Sequence, residues 1–171
     1  FSSKWTANRD NYYRRIYAKT ASLFETAAAA PSLLATLGGN SYELLRQYGY
    51  EIGMAFQMVD DILDFTADPS VLGTPIGSDL RQGLVTLPVI FFTEMEPEHP
   101  FSQALLSGKC LSIPQIEELV PQLISTGALS RAHSEARQFI SSGLETLRVA
   151  PESPEKQALA ELAEYFVDRV L

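Results

Sequence analysis

The chain has 171 residues, is 46% hydrophobic and carries a formal net charge of −8. That length can bury a real core, and the acidic balance excludes the electrostatic footprint of a nucleic-acid binder and argues against docking on anionic lipid. The single cysteine, Cys110, excludes an internal disulfide and fits a reducing, cytoplasmic setting.

Taken in chain order, the 3.6-residue apolar period recurs and β-branched alternation does not. Residues 9–29 read as one helix with Tyr12, Ile16, Leu23 and Phe24 on its apolar stripe, and Pro31 is expected to kink or end it. Gly38-Gly39 stops the next segment. Ser41 then caps a long helix running to about Asp68, where Asp68-Pro69 ends it. Residues 69–83, rich in Pro and Gly, read as a loop. A helix follows over about 84–95, another behind the Ser112 cap and Pro114, a third over 128–149, and a last one over about 154–170 behind Ser153-Pro154. The predicted fold is all-α, about six or seven helices in a single domain over 1–171. The two most apolar stretches, 27–37 and 84–92, are each interrupted by proline and fall short of the ~20 residues that span a bilayer, so no transmembrane segment is expected.

The long helix carries "FQMVDDILDF" at 56–65. At 100° per residue, with Asp60 at zero, Asp64 lies at about 40°, Gln57 at about 60° and Asp61 at about 100°. Four polar groups share one face, and no lysine or arginine follows one turn on to neutralise them. Gly53 falls on the same face, where bare backbone would admit a ligand. A solvated acidic face is one reading. A hard divalent cation is the other: Mg²⁺ needs only one or two carboxylates when waters and phosphates complete its shell.

Lys19 is one of four lysines and sits with Arg15 on the stripe of Tyr12, Ile16 and Leu23. An ammonium there either snorkels into solvent or meets an anion such as phosphate, with the Thr20 hydroxyl beside it. The later loop "LGTPIGSDLRQG" offers glycines for close backbone approach and Asp79 as a helix cap or a metal-side carboxylate. His99 and His133 have no metal-ligand spacing, and the arginines of 128–149 are diluted by glutamates, which reads as a solvated face.

In this order and spacing, Lys19-Thr20, "GMAFQMVDDILDF" (53–65) and "DPSVLGTPIGSDLRQGLVTLP" (68–88) resemble the C-terminal half of the E-type polyprenyl diphosphate synthases, long-chain type. The resemblance covers roughly residues 12–92 and implies part of an isoprenoid-synthase helical bundle. It implies a transferase of isoprenoid biosynthesis. An allylic diphosphate ionises, the double bond of isopentenyl diphosphate attacks the cation, and a proton leaves. By the resemblance Asp60 is the most direct Mg²⁺ ligand, with Asp61 and Asp64 acting partly through water. Lys19 contacts the allylic diphosphate, with Thr20 and Gln57 beside it to orient substrate and steady the cation.

The chain departs from the family pattern at Thr74 and Leu84, where many members carry lysine. The family's first Asp-rich motif has no counterpart, since Asp60-Asp61 is the only adjacent pair of aspartates. The chain therefore reads as the C-terminal part of a larger synthase, inactive alone. The resemblance implies a homodimer for the parent protein. An exposed wall of its apolar cavity would make this part self-associate. A non-catalytic subunit that binds and tunes a partner synthase is the alternative, and an all-α interaction domain the third reading.

Overall fold

The computed structural model describes residues 8–34, 40–67 and 75–168. Arg9–Leu34 is helical throughout but not regular. Helix α1 (Arg9–Ile16) passes into one π turn, Tyr17–Ala21, before α2 (Ser22–Leu34). A π turn takes up one more residue than an α turn, so everything after it is rotated by about 100°. The inward run of Tyr12 and Ile16 therefore resumes at Ala21, which is fully buried, and Leu23 is left 69% exposed instead of joining the stripe. Pro31 does not end the helix; it lies inside α2. Both Pro31 and Ala27, whose carbonyl loses its partner, are exposed, so solvent can meet the lost bond.

Helix α3 (Ser41–Thr66) is the longest, and its second half is buried on nearly every side: Ile52, Met54, Ala55, Met58, Val59, Ile62 and Phe65, with Gln57 and Asp61 among them. The expected stop signals Gly38-Gly39 and Asp68-Pro69 lie outside the described residues. A short helix, α4 (Ser78–Arg81), occupies part of what reads as loop. Helix α5 (Leu87–Met95) starts three residues later than expected, because Pro88 sits in its first turn and Thr86 is extended before it. Helix α6 (Pro100–Leu106) has no apolar period long enough to announce it. Proline opens it and His99 Nδ1 accepts the Phe101 N–H at 3.2 Å. Helices α7 (Ile113–Ser125), α8 (Ala128–Leu147) and α9 (Pro154–Asp168) follow the sequence signals closely. Gln115 Oε1 accepts from both the amide and the hydroxyl of Ser112, and Ser153 Oγ accepts the Lys156 amide. The fold is all-α. Among the described residues no helix is long and apolar enough to cross a membrane.

The described residues divide into two compact units, 8–13 with 60–133 and 14–59 with 134–168. In the first, α5 is buried from Leu87 to Thr93. Phe91 packs against two arginines: the guanidinium carbons of Arg9 and Arg131 stand 4.6 Å and 4.3 Å from its ring centre. Glu94 ties the same two arginines together, accepting from Arg9 Nε and Nη2 and lying 3.3 Å from Arg131 Nη1. Arg131 is therefore part of a clamp rather than of a merely solvated face.

The Arg9 hydrogen bonds, with the charges of both arginines, hold the Glu94 carboxyl below its usual range. Its folded value lies under its unfolded value, so its stabilisation is present above about pH 4.3 and is lost as the pH falls through the folded value. Glu94→Gln is expected to flatten the acid limb of a melting-temperature profile. The change should be modest because the side chain is 36% exposed. A variant as acid-sensitive as the wild type would show that the clamp carries nothing.

The second unit holds α3 as far as Val59. Phe24, Phe56 and Phe166 form a triangle with centroids 5.0–6.2 Å apart, in which Phe166 meets the other two rings edge-to-face and Phe24 and Phe56 are tilted at 36°. The Tyr48 hydroxyl donates to the Leu159 carbonyl at 2.7 Å. Burial pushes that phenol up to about 12.

Candidate functional site

The π turn places Lys19-Thr20. In unbroken helix the inward position after Ile16 would fall at Lys19 or Thr20, burying a charge or a hydroxyl. The extra residue turns Ala21 inward, leaves Lys19 exposed and puts Thr20 at the margin. Lys19 makes no ion pair or hydrogen bond among the described residues. The lysine is thus presented to solvent rather than held on an apolar stripe. π turns are frequent at functional sites, and no local sequence rule announces this one.

Thr20 Oγ1 donates to Gln57 Oε1 at 2.6 Å across 37 residues of sequence. Gln57 is 4% exposed, so this bond forms in a poorly solvated place where an unmade one is costly. Two residues singled out independently are therefore in contact. Gly53, one turn earlier, does not open the face to a ligand. A Cβ there would stand 2.6 Å from the Ala21 Cα and 2.9 Å from the Phe24 Cβ. Gly49 is similar, with the Phe24 carbonyl oxygen 2.5 Å away. The glycines let α3 lie directly on the π turn and the start of α2, and that closeness brings Gln57 to Thr20.

The carboxylates belong to the other unit. Asp61 is 4% exposed, and Asp60 and Asp64 are half-buried. Asp64 is not held by an arginine bridge. Three successive amides converge on it: Gly77 N–H donates to its carbonyl at 2.9 Å, Ser78 N–H to Oδ1 at 2.9 Å and Asp79 N–H to Oδ2 at 3.2 Å. Gly77 makes the turn possible. Its φ is +67°, and a Cβ would meet Ile116 Cγ2 at 2.8 Å. Burial pushes the Asp64 carboxyl up, the two amides pull it back, and the neighbouring Asp79 carboxylate adds to the rise. Asp79 is not the cap expected of it: Gly77 holds the N-cap position, and Asp79 lies inside the helix with its amide donating to Asp64. Thr74 lies outside the described residues, and Leu84 is 38% exposed. The grip on Asp64 was invisible in the sequence, since its partners lie 14 and 15 residues away with no periodic relation.

A groove of about 240 Å³ lies between α2 and α3, lined by Tyr17, Glu25, Leu33, Tyr42 and Arg46 among others. Glu25 and Arg46 are bonded to each other across it. It contains none of the residues singled out above.

The family model described as polyprenyl synthetase matches residues 2–123. The all-trans-nonaprenyl-diphosphate synthase (geranyl-diphosphate specific) of Rhodobacter capsulatus is 36% identical over 165 residues, covering 94% of this chain and 49% of that protein. Among solved structures, heptaprenyl diphosphate synthase from Staphylococcus aureus superposes with a TM-score of 0.89 at 27% identity, over 98% of this chain and 53% of the other. A polyprenyl synthase from Caulobacter crescentus CB15, complexed with calcium and isoprenyl diphosphate, gives 0.83 at 30% identity, over 96% and 51%. The chain spans about half the length of the curated relatives it matches.

Proposed function

We propose a function from one premise: the chain belongs to the polyprenyl synthetase family. On our reading it supplies the diphosphate-binding part of a prenyltransferase that extends an allylic diphosphate with isopentenyl diphosphate. The observation that carries this is the hydrogen bond from Thr20 to Gln57, which joins the lysine motif to the Asp-rich helix.

The donor set fits a hard cation. On α3 it consists of carboxylate oxygens at Asp60 and Asp61, and among the described residues no group of three or more His, Cys, Asp or Glu side chains could hold an ion by itself. A metal completed by water and phosphate oxygens suits that arrangement. Mg²⁺, when bound, would offset the negative charge that grows on the departing diphosphate. Asp60 would hold it most directly, with Asp61 behind through water. Lys19, exposed on the π turn, would reach the allylic diphosphate. Thr20 and Gln57, fixed by their mutual bond, would orient the substrate and offer oxygen dipoles to the developing cation.

The same reading makes the chain incomplete for turnover alone and expects it to self-associate, as a homodimer in the parent protein. Leu23 and Leu33, 69% and 68% exposed on α2, support association. Isothermal titration of the chain with inorganic diphosphate, with and without Mg²⁺, tests the binding function. Metal-dependent affinity is expected, and its absence overturns the proposal. Chain elongation after adding a polypeptide that carries the missing Asp-rich motif then separates a catalytic part from a non-catalytic subunit. Sedimentation of a compact monomer would overturn the association.

A further inference from the structure

Resting on the reading above, we infer that Asp64 is a positioning residue: it fixes the Gly77–Asp79 turn to the end of α3, and its effect on diphosphate binding passes through that turn rather than through the metal. Both carboxylate oxygens already accept backbone amides, Oδ1 from Ser78 and Oδ2 from Asp79, and the Asp64 carbonyl takes the amide of Gly77. Each carboxylate oxygen thus has one lone pair held by protein, in directions that the turn sets. The other bonds of the turn are local to it, with the Arg81 amide donating to the Gly77 carbonyl at 2.9 Å and the Leu84 amide to the Asp79 carbonyl at 2.8 Å. Its helix is only four residues long, Gly77 sits in the left-handed region, and Arg81 Nε reaches back to the Ile76 carbonyl at 3.0 Å. A carboxylate with two donors on two oxygens fixes orientation as well as distance. The Asp79 side chain, beside Asp64 and of the same charge, is kept near it by these bonds despite repulsion.

Two variants separate positioning from ligation. Asp64→Ala removes both acceptors and the charge. Asp64→Asn removes the charge but keeps one acceptor of the same shape. Amide hydrogen exchange of the chain should show Ser78 and Asp79 opening about tenfold faster in D64A, the cost of an acceptor lost from a half-buried pair. In D64N one of the two should keep its protection. Mg²⁺-dependent affinity for inorganic diphosphate should follow the same order: reduced about tenfold in D64A and within about threefold of wild type in D64N. If D64A does not melt cooperatively, D64N alone decides, by keeping one protected amide and the affinity that accompanies it. Unchanged exchange in D64A overturns the inference. So does a D64N chain that keeps its protection yet loses metal-dependent affinity as a ligand variant would. A wild-type chain that binds no Mg²⁺-diphosphate sinks the proposed function instead, and the exchange measurement then decides the positioning of the turn by itself.

Discussion

Replacing Gly53 by alanine is expected to destabilise the protein by about 2 kcal/mol, and replacing it by valine by 3 kcal/mol or more. Intrinsic propensity predicts the opposite sign, because alanine in a helix interior is favoured over glycine by about 1 kcal/mol. The steric effect wins because of what the new carbon would meet. At Gly53 the nearest atom is the Ala21 Cα at 2.6 Å, which is backbone and cannot rotate away. The only relief is to lift α3 off the π turn, opening the interface that also carries Phe24, Phe56 and Phe166.

Gly143 makes the contrast. There the closest atom is Ile52 Cδ1 at 2.9 Å, the far end of a flexible side chain, and the next is at 3.3 Å. Gly143→Ala should stay within about 1 kcal/mol of wild type, since the helical gain offsets a small rotamer shift. Thermal melts read the difference, at about 2–4 °C per kcal/mol for a chain of this size. A Gly53→Ala chain that melts above the wild type would show that the interface yields and that the glycine is no spacer. The site should register the same substitution. Lifting α3 by the roughly 0.8 Å that would restore an ordinary 3.4 Å contact at Gly53 stretches the 2.6 Å bond from Thr20 to Gln57 to about 3.4 Å, past the O–H···O range, so diphosphate affinity should fall along with stability.

This interface also marks where reading the sequence stops working. The all-α class, the long aspartate helix and the starts of α7 and α9 were legible because their signals are local: a cap, a proline in the first turn, a 3.6-residue period. Its place on the polar face makes Gly53 look like an opening for ligand. The structure fills that space with Ala21 and Phe24, which are close in space but 32 and 29 positions away in sequence. An unbroken helix would place Lys19 on an apolar stripe. One π turn removes Leu23 from that stripe and sends Lys19 to solvent, and the displacement shows only in which alanine is buried. Helices α4 and α6, four and seven residues long, are too short to display a period and owe their ends to Asp64 and His99 rather than to their own composition. Helix starts therefore came from nearest neighbours in the chain. Close approach and register came from tertiary packing.

On the proposed reading, Asp60→Ala should lower Mg²⁺-dependent affinity for inorganic diphosphate by about a hundredfold, and Lys19→Met by only about tenfold. The difference follows from surroundings. Asp60 is half-buried on a helix whose second half is almost wholly inside the protein, so a charge contact made there is poorly screened. A charge-assisted contact is worth roughly 1.5–3 kcal/mol, which at about 1.4 kcal/mol per decade approaches two decades at its upper end. Lys19 is exposed, its attraction for an anion is damped by water and salt, and it pays the entropy of ordering a long side chain. The two effects should also respond differently to conditions. Removing the metal should reverse the difference between wild type and Asp60→Ala, because without the cation that carboxylate only repels diphosphate. The Lys19→Met deficit should persist without metal and shrink as ionic strength rises. Titration calorimetry of both variants, with and without Mg²⁺ and at two salt concentrations, distinguishes these patterns. If Asp60→Ala binds diphosphate as well as wild type in the presence of Mg²⁺, the acidic face is only solvated, and the metal role assigned to it fails.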